Sequence, residues 1–228
     1  MKLATFRHSD ETDKLGIVLN NDRQILDIQA AHQYETGAPN PTLSSLQAFI
    51  EGGDSSLDLG HMMAAKAPGA CMIPLAEVTL RTHLPKPPQI RDCLCFEEHH
   101  INAFTVLRKV KADAEPDPAA ALKGFEAKGL FRIPEVWYQQ PIYYKANRFS
   151  VIGSDQDIEW PSYAEMMDYE MEFGIFIGKS GKDIPKERAH EHIFGYAIFK
   201  DVSARDTQTV EMPGGLGPSK SKDFDTGN

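Results

Sequence analysis

Residues 169–178 read Tyr-Glu-Met-Glu-Phe-Gly-Ile-Phe-Ile-Gly, and this run restricts the fold more tightly than any other segment. Its aromatic and β-branched content predicts a strand. Side chains alternate along a strand, so Glu170 and Glu172 leave one face about 6.5–7 Å apart, while Met171 and Phe173 take the other, which fits a buried sheet. Two carboxylates on one face of an apolar strand are costly to bury unless something positive lies between them. Residues 196–200 form a second apolar strand that runs directly into Asp201, a third carboxylate placed to complete the cluster. Three carboxylates with no cysteine and no obligatory histidine describe a hard oxygen site, suited to Mg2+, Mn2+ or Ca2+ rather than zinc. The alternation also fits the solvated face of an edge strand, and the pattern alone leaves both readings open.

The rest of the chain supplies the frame. Segments 2–8, 15–20 and 24–28 are apolar-rich, and Asn20-Asn21-Asp22 marks a hairpin turn. Helical patterns follow around 43–51, closed by Gly52-Gly53, and around 57–66, and Leu75–Leu84 reads as a strand. The stiff connector Pro85-Lys86-Pro87-Pro88 places a boundary near residue 85. Residues 1–85 are therefore expected to form a small α/β domain, whose scattered His8, His32, His61 and His83 make no catalytic cluster. Beyond it, the pattern predicts helices over 97–111 and 119–128, separated by an exposed acidic break at 113–118. An extended aromatic run follows at 137–144, and a strand is read at 142–152. Asp183 is expected to cap a helix that ends before Gly195. His190 and His192, two apart on that helix, do not face one another and are read as structural.

Composition narrows the class of function. A net charge of −9 over 228 residues argues against a nucleic-acid partner, which needs a basic field. It leaves room for a small anionic substrate, because local charge can oppose the net charge. No apolar run approaches the roughly 18–20 residues that span a bilayer, so no membrane partner is expected. The N-terminus turns charged before a signal-peptide core could form, which predicts a cytoplasmic protein. Cys71, Cys93 and Cys95 make no zinc pattern and are expected as buried free thiols.

Three motifs in order then carry a resemblance. These are the Glu-x-Glu run, Ala189-His190-Glu191-His192-Ile193-Phe194-Gly195, and Asp201-Val202-Ser203-Ala204-Arg205-Asp206 followed by Gln208. Together they resemble the core of the fumarylacetoacetate hydrolase family over about residues 85–228. The resemblance implies an α+β, predominantly β fold, with the family's mixed β-roll as a catalytic domain over 86–228 and the small α/β domain over 1–85. It implies a homodimer formed through that core. It also implies further strands and a substrate-contacting loop after the Asp-Thr-Gly segment at 225–227, so the C-terminal part of the domain is expected to be missing.

By the same resemblance, Glu170, Glu172 and Asp201 hold the metal, with Mg2+ the first expectation and Mn2+ or Ca2+ the others. Asp92 is a fourth carboxylate near it. His99, seven residues on, takes the place of the general base, a task suited to imidazole because its unperturbed pKa lies near working pH. His100 is the rival, about 100° further round the helix. Arg205 and Lys222 match positive positions near the metal or substrate, which a site crowded with carboxylates needs if it is to take an anionic oxo acid. Tyr144, Gln208 and Thr226 are the implied substrate contacts. The activity implied is hydrolysis of a C–C bond in a small 1,3-dioxo or 2-oxo acid of the fumarylacetoacetate or acylpyruvate type, through a metal-stabilised enolate. Decarboxylation, hydration or isomerisation within the family, and a catalytically inactive metal-binding homologue, are the alternatives.

Overall fold

The computed structural model describes residues 1–227, with Thr226 described by its backbone alone. The expected substrate contact through the Thr226 side chain thus lies outside the described residues. The chain divides into two compact units, residues 1–89 together with 147–228, and residues 90–146.

The first unit begins with the predicted hairpin. Strands β1 (Lys2–Arg7), β2 (Lys14–Leu19) and β3 (Gln24–Asp27) pair antiparallel. The β2–β3 turn sets Asn20, Asn21 and Asp22 at φ of 54°, 56° and 62°, the left-handed region that short polar side chains tolerate best. With β4 (Met72–Pro74) and β5 (Thr79–Leu80) they form one sheet in the order β4-β3-β2-β1-β5. Most of the expected strand 75–84 is not formed: residues 75–77 are a 3-10 turn, and only the two residues of β5 pair with β1.

Helix α1 (Ile28–Thr36) starts where the Asp27 carboxylate accepts the Ala30 N–H, and it ends at Gly37, φ 82°. Helices α2 (Leu46–Glu51) and α3 (Gly53–Lys66) complete the layer. Leu15, Ile17, Leu26, Phe49 and Met63 are buried in the core between sheet and helices.

The same unit contains the long hairpin that the Glu-x-Glu run predicted. Strand β9 (Met167–Ile177) pairs antiparallel with β10 (Ile193–Ala204), in a sheet ordered β8-β11-β10-β9, where β8 is Val151–Ile152 and β11 is Thr226–Gly227. Helix α7 (Arg205–Glu211) follows β10 directly. The hairpin is tied to the helical layer and to the segment after β5, since Phe194 meets Phe49 of α2 and Phe176 meets His83, at centroid separations of 6.1 and 5.7 Å.

Gly153, just after β8, allows a second close approach, since a Cβ there would sit 2.5 Å from the Thr82 backbone nitrogen. Backbone cannot yield as a side-chain tip does. Gly153→Ala is therefore expected to destabilise the protein by about 1–3 kcal/mol, the usual cost of overpacking. A denaturant melt that leaves the midpoint unchanged would show that the two segments are not packed as described.

The hairpin reverses the usual pattern of an antiparallel sheet. Its charged face is covered and its apolar face is open. Glu170 and Glu172 are half-buried and Asp201 is buried, whereas Met171, Phe173 and Ile198 are 69%, 61% and 66% exposed. The sequence reading placed Met171 and Phe173 in a buried sheet, and within one chain they are not covered. An apolar patch of this extent marks a surface that another element or molecule covers.

Around residue 190, Asp183 does not cap a helix. It adopts φ 53°, and residues 186–192 form 3-10 turns after Pro185. His192 is structural, its Nδ1 lying 2.9 Å from the Lys179 carbonyl oxygen.

The second unit contains β6 (Arg91–Cys93), α4 (Glu97–Asp113), α5 (Pro118–Ala127), α6 (Val136–Gln139) and β7 (Tyr143–Lys145), with β6 and β7 paired antiparallel. The helices and the break between them follow the expectation. The extended aromatic run does so only at its end, in β7, because the Trp137 N–H donates to the Pro134 carbonyl and opens a turn of helix, and of the expected strand 142–152 only β7 and β8 form. The Trp137 indole N–H then donates to the Leu94 carbonyl at 2.6 Å. All three cysteines are free, but only Cys71 is buried; Cys93 and Cys95 lie on and just after the short β6 ribbon and are exposed. No helix among the described residues is long and apolar enough to cross a membrane.

Candidate metal centre

The register of β9 on β10 builds the site. Asp201 lies directly opposite Glu170, Phe199 opposite Glu172, and Ser203 opposite Asp168, so all six residues share the covered face. The expected strand 196–200 proves to run on through Ala204, which places Asp201 within the strand rather than after it. The apolar pattern fails at Asp201 and Ser203 because their inward positions belong to a polar network.

At the centre of that network is Lys222, only 4% exposed on a 3-10 turn over 220–222. Its ammonium contacts the carboxylate of Asp201, itself 1% exposed, and lies 3.1 Å from Glu170 Oε1. Arg205, the first residue of α7, donates from Nη1 to Glu170 Oε1 at 2.7 Å and to Gln208 Oε1 at 3.0 Å, and from Nε to Asp168 Oδ2 at 2.9 Å. Burial opposes ionisation of Glu170, but Lys222 and Arg205 outweigh it and hold its carboxyl below the usual range. Burial likewise opposes the charge on Arg205, and Glu170 and Asp168 raise its pKa in spite of it. The Arg205–Asp168 pair is half-exposed and contributes little to stability, whereas the Lys222–Asp201 pair is buried and its integrity matters far more.

Glu172 and Asp201 bring carboxylate oxygens within 4.8 Å of one another. That separation suits a hard divalent cation, whose oxygen ligands stand about 2.0–2.6 Å from the ion. The donor set is all oxygen, with neither sulfur nor imidazole among the six residues facing the site, so the residues fit Mg2+, Mn2+ or Ca2+. Glu170 is held differently from the other two, since Lys222 and Arg205 both contact its Oε1 and it is not among the carboxylates that converge within 4.8 Å.

Asp92, His99 and Tyr144 belong to the second unit. Asp92 and Tyr144 are directly opposed across β6 and β7. His99 is exposed near the start of α4, while its neighbour His100 packs against Phe104 and Trp137 at 5.3 and 5.5 Å. Burial, with the nearby His99 adding to it, lowers the pKa of His100. The helix thus separates the two imidazoles as its geometry requires. Asp168 is the site residue that the sequence reading missed. Its signal was the same period of two that picked out Glu170 and Glu172, carried one step further back.

Comparison with known proteins bears on the family and the fold. The family described as fumarylacetoacetate (FAA) hydrolase C-terminal matches residues 114–228, half of the chain. The chain is similar to the oxaloacetate tautomerase YisK of Bacillus subtilis (strain 168), with 28% identity over 203 residues, covering 85% of this chain and 58% of that protein. It is also similar to the human mitochondrial oxaloacetate tautomerase FAHD2A, with 24% identity over 91% of this chain and 54% of the relative. Among solved structures, maleylpyruvate hydrolase from Sphingobium sp. SYK-6 superposes with a TM-score of 0.60 at 20% identity, covering 100% of this chain and 64% of the other. The structure of that hydrolase with manganese(II) and pyruvate gives a TM-score of 0.57, again at 20% identity, with coverage of 100% and 64%. These structures show the α+β fold. The chain spans a little over half the length of these curated relatives.

Proposed function

Because the chain belongs to the fumarylacetoacetate hydrolase family, we propose that it forms a divalent-metal site that enolises a small 2-oxo acid of the oxaloacetate kind. One observation carries this reading: the Glu172 and Asp201 oxygens converge within 4.8 Å, on a sheet face whose Glu170 and Asp201 are contacted by Arg205 and Lys222. The names of relatives that span 85% and 91% of this chain favour tautomerisation over bond cleavage.

A cation bound here supplies a Lewis acid to the carbonyl oxygen of the oxo acid. Glu172 and Asp201 would hold the cation, with Glu170 as the further carboxylate beside them. Lys222 contacts the Asp201 carboxylate and orients it. Arg205 commits Nε and Nη1 to protein carboxylates and Gln208, and its Nη2 edge is suited to a substrate carboxylate. The homodimer remains part of the proposal, and the exposed apolar face of the β9–β10 hairpin supports it.

Hydrolysis of a C–C bond is the second reading, favoured by the seven-residue spacing of Asp92 and His99. In that reading His99 draws the proton from an attacking water.

The test uses the metal-stripped chain, Mn2+ or Mg2+, and two substrates, oxaloacetate and an acylpyruvate. Metal-dependent acceleration of oxaloacetate enol–keto exchange is expected. If acylpyruvate is cleaved as well, His99→Ala should lower that rate about 10²–10⁴-fold. Absence of metal-dependent turnover on both substrates would contradict an enzymatic role and favour an inactive metal-binding homologue.

A further inference from the structure

Lys222 reaches the two carboxylates from the far end of a loop, and the way that loop is closed assigns a role to a residue outside the site. Glu211 is the last residue of α7, six positions after Arg205. Its Oε1 accepts the Ser219 N–H at 2.7 Å, the Ser221 N–H at 3.3 Å and the Ser221 hydroxyl, and its Oε2 accepts the Ser219 hydroxyl at 2.9 Å. One carboxylate therefore joins the two ends of the excursion through residues 212–218.

Between those ends the chain has little to hold it. Gly215 and Gly217 take φ of 80° and 93°, and Leu216 is 95% exposed. At the closed end, by contrast, Ser221 is 0% exposed and Lys222 follows it into the site. Tyr163 adds one further tie, its hydroxyl donating to the Lys220 carbonyl at 2.8 Å.

We infer that Glu211 is a positioning residue, whose clasp on Ser219 and Ser221 fixes the Lys222 ammonium between Asp201 and Glu170. A flexible lysine stem alone does not fix an ammonium, because each of its rotatable bonds is a degree of freedom. The clasp removes the backbone part of that freedom at the Lys222 Cα, and packing restricts the stem. The shape of the acceptor, more than its charge, does this work. A glutamine at 211 retains Oε1 for three of the four bonds, and its amide can donate to the Ser219 hydroxyl, which also accepts.

The inference rests on the functional reading above for its kinetic arm alone. Three chains are compared, the wild type, Glu211→Ala and Glu211→Gln, each with Mn2+ and oxaloacetate. Hydrogen exchange of residues 219–222 is measured alongside. Glu211→Ala is expected to speed exchange at 219–222 and to lower kcat about 10²-fold, the scale of a displacement near 1 Å, with a smaller change in KM. Glu211→Gln should restore both to near the wild-type values.

Equal damage from the two variants would overturn the inference, as would unchanged kcat in Glu211→Ala beside an active wild type. An inactive wild type would sink the functional reading instead. Exchange at 219–222 and the non-additivity of Glu211→Ala with Lys222→Met in thermal melts then decide the positioning role. Full additivity would overturn it.

Discussion

Lys222→Met is expected to lower the stability of the metal-free chain by about 3–5 kcal/mol, far more than loss of a surface lysine would cost. The substitution keeps an unbranched stem and removes only the ammonium. That ammonium is buried, and it faces Asp201, also buried, and the half-buried Glu170. Without it, two carboxylates confront each other across the β9–β10 register, with Arg205 still paired to Glu170. For a chain of this length the loss corresponds to a fall of roughly 6–20 °C in melting temperature.

The same reasoning gives the variant a signature that ordinary core damage lacks. A divalent ion is itself the missing positive charge, so Mn2+ should stabilise Lys222→Met more than it stabilises the wild type. A loss below about 1 kcal/mol, or a rescue no greater than in the wild type, would mean that the ammonium does not balance these carboxylates.

The legibility of this site in the sequence follows its physics. Alternation along 169–178 was readable because a strand has a period of two, and it placed Glu170 and Glu172 on one face. The side that would be covered was not readable. Hydropathy assigned burial to Met171 and Phe173, yet in the chain the polar face is covered and the apolar face is open. A pattern that puts charge inside is recognised only through its compensating cations, and these come from α7 and from the 220–222 turn, remote in sequence.

Asp201 was found as a carboxylate beside an apolar run. Its strand, however, continued three residues further, through positions where a polar network replaces apolar packing. The turns at 137 and 186 were misread because local carbonyl acceptors and Pro185 set the backbone there, and aromatic content or an apparent cap could not reveal that. Glu211 gave no signal at all. Its partners are two serines in a Gly- and Pro-rich stretch, and neither periodicity nor a motif marks them.

The central claim, that this sheet face holds a divalent cation, meets its most direct test in calorimetric titration of the chelator-stripped chain with Mn2+, beside Asp201→Asn. Asparagine keeps the shape of the buried side chain and removes the charge that an ion and Lys222 share. The wild type should bind one Mn2+ per chain, and at 100-fold excess over Kd the ion should add about 2.7 kcal/mol to its stability. Asp201→Asn should weaken binding by at least the about 10–100-fold that loss of even an outer partner of a metal ligand costs. A wild type that takes up no ion, or an Asp201→Asn chain that binds Mn2+ as tightly as the wild type, would contradict the account.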